Sequence, residues 1–91
     1  MFILTVKEFV DVFKINDDIC IAVNSSDEFV LSVAHGTRAI DPWMMELNIS
    51  SIEIELCTNY VCLYLYLQGE FDQLLQIQQQ WTSADGLNAA I

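Results

Sequence analysis

Basic residues are scarce in this chain, and their scarcity restricts its partners more than any other feature. Three lysines and arginines stand against thirteen aspartates and glutamates, which gives a formal net charge of −10 over 91 residues. Proteins bind a nucleic-acid backbone by neutralising several phosphates with lysine and arginine, so we expect no direct nucleic-acid binding. A large negative charge instead speeds association with positively charged surfaces. The charge balance therefore predicts a basic protein as the partner.

The sequence also lacks the patterns of flexible linkers, membrane spans and secretory signals. It has three glycines and one proline, and 54% of its residues are hydrophobic, which is typical of a folded domain rather than a disordered acidic tail. No apolar run reaches the roughly 18 residues of a spanning helix, and the apolar residues 1–4 are followed, not preceded, by the first lysine. We expect a cytoplasmic protein without membrane contact, with one domain over residues 1–82 and a C-terminal tail over residues 83–91.

The residues that usually carry catalysis or bind metals are few and scattered. His35 is the single histidine and lies in a His-Gly-Thr-Arg turn without a nucleophile motif beside it, so we interpret it as solvent-exposed. Cys20, Cys57 and Cys62 are odd in number, which favours reduced thiols, and none belongs to a C-x-x-C pair for zinc. Cys20 is predicted to be a small core residue. We therefore predict a non-enzymatic protein without a metal or cofactor.

Two stretches have the periodicity of helices. Over residues 5–14, Thr5 and Glu8 are spaced as a capping box, and apolar side chains recur at three- and four-residue intervals. Over residues 70–82, acidic residues occupy the first turn, where the helix dipole favours negative charge, and glutamines lie opposite an apolar side. This second helix could pair with a copy of itself, which leaves a homodimer open.

The strands between these helices predict an α+β fold. Residues 19–23 and 28–34 read as strands joined by turn-forming residues, which is typical of an antiparallel hairpin. Residues 35–47 form an irregular excursion, whose Trp-Met-Met group (43–45) is either core or an anchor for a partner. A second hairpin and the last helix follow. We predict a four-stranded, mainly antiparallel sheet with one face covered by an N-terminal and a C-terminal helix.

The second hairpin has the clearest register. With a two-residue turn at 58–59, the cross-strand pairs become Leu56–Val61, Glu55–Cys62, Ile54–Leu63 and Glu53–Tyr64. This register places every large aliphatic side chain on one face and the acids and tyrosines on the other. A slip of one residue would destroy the separation, so the pattern itself favours the register.

The polar face of this hairpin is the main candidate for partner binding. It carries Glu53, Glu55, Tyr64 and Tyr66. Carboxylates two residues apart on a strand are about 6.6–6.8 Å apart, similar to two nucleotide steps of about 3.4 Å. Tyrosines beside them offer stacking surfaces for arginine side chains. An ordinary solvated sheet face shows the same alternation, so that interpretation stays open.

A second set of acidic residues comes from the end of the first helix and the first hairpin turn. Its members are Asp11, Asp17, Asp18, Asp27 and Glu28. One interpretation is a second negative region at one end of the domain, in which the last four steer the approach of a partner. The other is ordinary cap and turn chemistry.

Several segments resemble one group of small proteins. Residues 4–9, 12–13 and 18–21 are similar to the start of many uncharacterised proteins from phages and mobile elements of gut Firmicutes. Residues 47–54 and 63–67 are similar to the closing strands of that group. The resemblance implies a mobile-element setting, in which small acidic inhibitors of host defence such as anti-CRISPR proteins are encoded. It implies no catalytic residues.

Charge, fold and resemblance together give one leading hypothesis and two alternatives. The leading one is an acidic inhibitor that occludes the nucleic-acid-binding surface of a Cas protein or nuclease, in the host cytoplasm if the chain is phage-encoded. The first alternative is an immunity protein or antitoxin that blocks a basic nuclease toxin. The second is a structural or assembly protein that dimerises through Trp43, Met44 and Met45 or through the last helix.

Overall fold

A mixed sheet with helices on one side makes up the described part of the chain. The computed structural model describes the backbone of residues 4–90 and the side chains of residues 4–81. In chain order, its elements are β1 (Leu4–Thr5), α1 (Val6–Val12), β2 (Ile19–Asn24), β3 (Val30–His35), two 3-10 turns (Gly36–Ala39 and Pro42–Met44), β4 (Asn48–Leu56), β5 (Val61–Leu67) and α2 (Phe71–Ala90). Neither helix in these residues has the length and apolar character needed to span a membrane.

The α+β class is confirmed, but the sheet differs from the predicted one. Within residues 4–90, the sheet has five strands in the order β1-β4-β5-β2-β3. β1 is an additional strand that pairs with β4 at Asn48 and Ile49, and it is too short for alternation to reveal it. β2 and β5 run parallel, so the two hairpins join through a parallel pair at the centre of a mixed sheet. Backbone hydrogen bonds make this pairing, and side-chain alternation does not distinguish its direction.

The register predicted for the second hairpin is confirmed. Leu56 lies opposite Val61, and the three further predicted pairs follow it along β4 and β5. The Cys57 N–H donates to the Tyr60 carbonyl over 2.9 Å, which closes the two-residue turn at 58–59. The aliphatic side chains and the acids of this hairpin therefore lie on opposite faces.

The capping box fixes where α1 begins. The Thr5 hydroxyl accepts the Glu8 N–H over 3.1 Å, and a Glu8 carboxylate oxygen accepts the Thr5 N–H over 3.1 Å. Leu47 and Met45 supply carbonyls to the next two free N–H groups of the helix. α1 ends at Val12, two residues before the predicted end, because Phe13 adopts an extended conformation.

The core lies between the helices and the inner face of the sheet, which we define as the face that carries Ile21, Leu63 and Leu65. Trp43 and Met44 are buried in this core, so they are unavailable as anchors for a partner. Leu74 of α2 packs into the same cluster.

The helices cover the inner face only in part. Leu63, Leu65 and Leu67 on β5 are buried, whereas Ile54 and Leu56 on β4 are 67% and 80% exposed. α1 is seven residues long, about 10 Å, and β4 is nine residues, about 30 Å. A helix of this length cannot cover the whole strand, so the C-terminal end of β4, at Ile54 and Leu56, remains exposed to solvent. We call this the far end of β4.

Contacts from the β2–β3 turn hold the start of α2. The Asp27 carboxylate accepts the Phe71 N–H over 2.9 Å, and the Phe29 and Phe71 rings lie 5.4 Å apart. The predicted division of side chains is confirmed up to residue 80: Leu74 is buried, and most of the glutamines are exposed. The α2 backbone continues past the predicted end at residue 82, and the side chains beyond residue 81 lie outside the described set.

Candidate partner-binding surface

The outer face, opposite the inner one, carries polar and acidic side chains in lateral rows. Register places Val33, Ala22, Tyr64 and Glu53 in one row across β3, β2, β5 and β4. The neighbouring row consists of His35, Cys20, Cys62 and Glu55. Each row ends in a carboxylate on β4, so the negative charge concentrates at one side of the sheet.

The four predicted contact residues come together on this face as two tyrosine–glutamate pairs. The Tyr64 hydroxyl donates to a Glu55 carboxylate oxygen over 3.4 Å, and the Tyr66 hydroxyl donates to a Glu53 oxygen over 3.3 Å. Both bonds run diagonally, because Tyr64 lies directly opposite Glu53. The glutamates are exposed and the tyrosines half-buried, so the carboxylates remain open to solvent. Distances of 3.3 and 3.4 Å are long for O–H···O bonds, so the hydroxyls orient the carboxylates only weakly.

The carboxylates change the titration of both tyrosines. The Glu55 charge is the main cause that raises the pKa of Tyr64 to about 12, and burial adds to it. The pKa of Tyr66 is raised by burial first and by Glu53 second. Ionisation would put a phenolate beside a carboxylate, which is unfavourable. Both hydroxyls therefore remain protonated donors at neutral pH.

Glu28 joins this surface from the β2–β3 turn. It lies with Glu53 and Tyr66 around a polar pocket of about 120 Å³ whose remaining walls are Ser26, Ser50 and Ser51. Its charge contributes to the raised pKa of Tyr66. Glu28 also has a φ of 68°, a left-handed backbone conformation that is uncommon for residues other than glycine. The outer face thus gathers three carboxylates.

Asp27 takes part in the cap and turn chemistry that was one of the two interpretations of the second acidic set. Its carboxylate accepts bonds from the hydroxyl of buried Ser25 and from the Phe71 N–H. The Ser25 bond is the largest cause that lowers the pKa of Asp27. The Asp27 side chain is therefore committed to the turn and to the start of α2.

The structure does not bring the second acidic set together at one end. Asp17 and Asp18 precede β2, while Asp27 and Glu28 follow it. β2 has six residues, so these two pairs lie at opposite ends of a strand about 17 Å long. Asp17 packs against Gly36, and a Cβ at Gly36 would clash with the Asp17 side chain. The Gly36 φ of +66° would also strain any residue with a side chain. Only Glu28 of this set joins the outer-face surface.

The three thiols lie near one another on the outer face. Cys20 is half-buried opposite Cys62 on the neighbouring strand, so it is not part of the core cluster. The Cys57 thiol donates to Glu55 over 3.7 Å. Burial is the largest cause that raises the pKa of both Cys57 and Cys62, which keeps these thiols protonated and poorly nucleophilic. Within the described residues, no group of three potential ligands is arranged to hold a metal ion.

An apolar cleft on the inner face was not predicted from the sequence. A cleft of about 350 Å³ opens between the end of α1 and the far half of the second hairpin. Phe13 and Ile54 line it, and both are more than half exposed. The alternation of β4 predicts an apolar face, but the extent of helix cover does not follow from it. The short predicted length of the first helix, over residues 5–14, was the sequence feature that could have indicated incomplete cover of β4.

Comparison with known proteins places the chain in no family. No family model, no curated protein and no solved structure matches it.

Proposed function

We propose that this protein is a non-enzymatic acidic inhibitor that binds and occludes a basic, nucleic-acid-binding surface of another protein. Its most concrete form is a counter-defence protein of a phage or mobile element, such as an anti-CRISPR protein. The partner is then a Cas protein or another nucleic-acid-binding effector in the host cytoplasm.

The arrangement of Glu53 and Glu55 is the observation that carries this proposal. Both carboxylates are exposed on one strand, and each accepts a tyrosine hydroxyl. Their exposure leaves both carboxylates available to a partner, and the neighbouring hydroxyls at 3.3 and 3.4 Å orient them only weakly. The tyrosine rings beside them offer apolar and π surface to arginine side chains, which bind carboxylates in a bidentate manner.

Inhibition would occur by competition for the same cations. Lysines and arginines that bind phosphates of a nucleic acid also bind carboxylates, and one cation group cannot satisfy both ligands at once. The net charge of −10 adds long-range attraction, which accelerates encounter and weakens as salt rises. Binding therefore does not require sequence or base recognition.

Affinity capture with matched variants tests the proposal. The variant Glu53→Lys/Glu55→Lys reverses the two carboxylates on the outer face. The control Asp11→Lys/Glu46→Lys reverses two exposed carboxylates on α1 and after the second 3-10 turn, and the two variants have equal net charge. Each bait is incubated with nuclease-treated bacterial lysate at low and high salt, and the recovered proteins are identified.

The expected result is a nucleic-acid-binding protein that wild type and control recover at low salt and the Glu53→Lys/Glu55→Lys variant does not. Purified wild-type protein should then displace nucleic acid from that partner, as measured by fluorescence anisotropy. Equal recovery by the two variants, or a recovered partner whose nucleic-acid binding is unaffected, would contradict the proposal.

An immunity protein or antitoxin would use the same surface. The capture experiment separates the two functions, because it would recover a nuclease toxin rather than a defence effector. The dimeric assembly function loses two of its proposed anchors, since Trp43 is 6% exposed and Met44 is fully buried.

A further inference from the structure

The outer edge of β4 has no partner strand beyond Ile49 among residues 4–90. β1 reaches only Asn48 and Ile49, while β4 continues to Leu56. Cys57 and Tyr60 form the hydrogen-bonded pair that closes the hairpin. Because hydrogen-bonded pairs alternate along an antiparallel ladder, the backbone groups of Ile54 and Leu56 point away from β5. These N–H and C=O groups line an edge that another strand can join.

The side chains of these same residues form an open apolar surface. We call Ile52, Ile54 and Leu56, together with Phe13, the apolar shelf; all four are exposed. The shelf borders the cleft of about 350 Å³ at the end of α1. Phe13 is held there by its stacking on Phe9, with ring centroids 4.7 Å apart. An added strand would place every second side chain over the shelf.

The remaining side chains of an added strand would face the acids of the outer face. Glu53 and Glu55 alternate with the shelf residues, so the strand's other positions would lie beside these carboxylates. Cations at those positions gain attraction, and anions are repelled. The other open edge of the sheet, β3, has no acidic residue between Val30 and His35 and lacks this selectivity.

A second copy of the chain fits this edge poorly. If two β4 strands paired antiparallel with Ile54 at the centre, Glu53 of each would lie opposite Glu55 of the other. Like charges directly opposite are destabilising in a sheet. The charge pattern instead favours a segment of opposite sign.

We propose that the β4 edge binds an extended segment of a partner in which aliphatic residues alternate with lysine or arginine. The aliphatic side chains cover the apolar shelf, the cations pair with Glu53 and Glu55, and the backbone adds a strand to the sheet. This inference rests on the proposed function and specifies which part of the basic partner is bound.

A synthetic seven-residue peptide of alternating valine and lysine tests the inference. Its control is a peptide of the same composition with valines and lysines in separate blocks. Binding to the full-length protein is measured by calorimetry, and amide protection by hydrogen exchange. We expect the alternating peptide to bind at least about tenfold more tightly than the block peptide. Both backbones can pair with β4, but only the alternating peptide then places its valines on the shelf side and its lysines beside Glu53 and Glu55. The Ile54 and Leu56 amides should become protected, while those of β3 should not change.

Backbone methylation of the peptide gives a second measurement. Two versions carry N-methyl groups on every valine or on every lysine, without any change of charge. Only one set of amides can face β4, so methylation of that set should weaken binding at least about tenfold, and methylation of the other should not. Equal effects of the two versions would overturn the inference.

The outcomes separate this inference from the proposed function. Equal binding of alternating and block peptides, without amide protection, would overturn strand addition at β4. The proposed function is judged independently, by whether Glu53→Lys/Glu55→Lys abolishes partner capture. Protection of the Ile54 and Leu56 amides that rises with protein concentration alone would show that a second copy occupies the edge, and would also overturn the inference.

Discussion

The two strands of the second hairpin have the same alternating pattern, but their apolar side chains differ in burial. Leu65 and Leu67 on β5 are 0% exposed, whereas Ile54 and Leu56 on β4 are largely open to solvent. β5 lies between β4 and β2 in the middle of the sheet, and β4 is covered at one end only. Alternation therefore determines which face a side chain lies on, while position in the sheet and helix cover determine whether it is buried.

Replacing one aliphatic side chain on each strand with alanine should give the largest difference in stability. Leu65→Ala removes a fully buried side chain and should lower the free energy of unfolding by about 2–5 kcal/mol. Ile54→Ala removes an exposed one and should cost about 0.5 kcal/mol. Urea unfolding followed by circular dichroism measures both values. Equal costs would mean that the far end of β4 is covered in solution.

Asp27 differs from Glu53 and Glu55 because its carboxylate holds the turn and the start of α2. Its removal should lower the free energy of unfolding, by less than Leu65→Ala does. Asp27→Ala removes the acceptor of the Phe71 N–H and the closer of two acceptors of the buried Ser25 hydroxyl, so the urea midpoint should fall. The Phe29 carbonyl at 3.3 Å remains as the second acceptor of that hydroxyl. Asp72→Ala, on the first turn of α2 but without such bonds, is the control. A midpoint equal to that of the control would contradict the structural role.

The pH dependence of stability should follow the lowered pKa of Asp27. Its ordinary value is 3.8 and folding depresses it, so its contribution is present above pH 3.8. The contribution is lost as the pH falls through the lower value of the folded state. Wild type and Asp27→Ala should therefore converge in stability in acid. A difference that persists at the lowest pH would have another cause.

The tyrosine–glutamate pairs should be visible in the titration of Tyr64. In a Tyr60→Phe/Tyr66→Phe background, absorbance should report a pKa of about 12, and Glu55→Gln should lower it towards 10. Because the pKa is raised by folding, the stabilisation is present below pH 10 and lost as the pH rises through 12. An unchanged pKa in Glu55→Gln would mean that the pair does not form.

The thiols should show the smallest effect. Burial raises the pKa of Cys57 and Cys62, so fewer thiolates are present at neutral pH than in a free cysteine. Alkylation in a Cys20→Ala background should be slower in the folded protein than in urea. Rates equal to those in urea would contradict the partial burial of both side chains.

The local features of the fold follow from the sequence because local interactions determine them. The Thr5–Glu8 capping box and the pairing of Leu56 with Val61 depend on spacing and a side-chain period of two. The same alternation predicts that Glu53 and Glu55 share a face with both tyrosines. Alternation does not determine which glutamate each tyrosine bonds, so the diagonal pairing of Tyr64 with Glu55 could not be predicted.

The remaining features depend on how distant segments meet. The parallel direction of the β2–β5 pair depends on how the two hairpins are oriented when they pack side by side, and side-chain alternation does not specify that orientation. Asp27 looks like any turn residue until α2 begins beside it. The β4 edge is open because β1 is short, and the inner face beside it is open because α1 is short. The residue at which a short element ends is the feature of the fold that is hardest to predict from sequence.

The salt dependence of binding tests most directly whether the exposed carboxylates of Glu53 and Glu55 on the outer face attract a basic partner. The dissociation constant for the captured partner is measured from low to high salt with wild type, Glu53→Lys/Glu55→Lys and Asp11→Lys/Glu46→Lys. We expect wild-type affinity to fall steeply with salt and the control to remain close to wild type. The outer-face variant should bind at least about tenfold more weakly than either at low salt. An outer-face variant that matches its control at every salt concentration would contradict the claim.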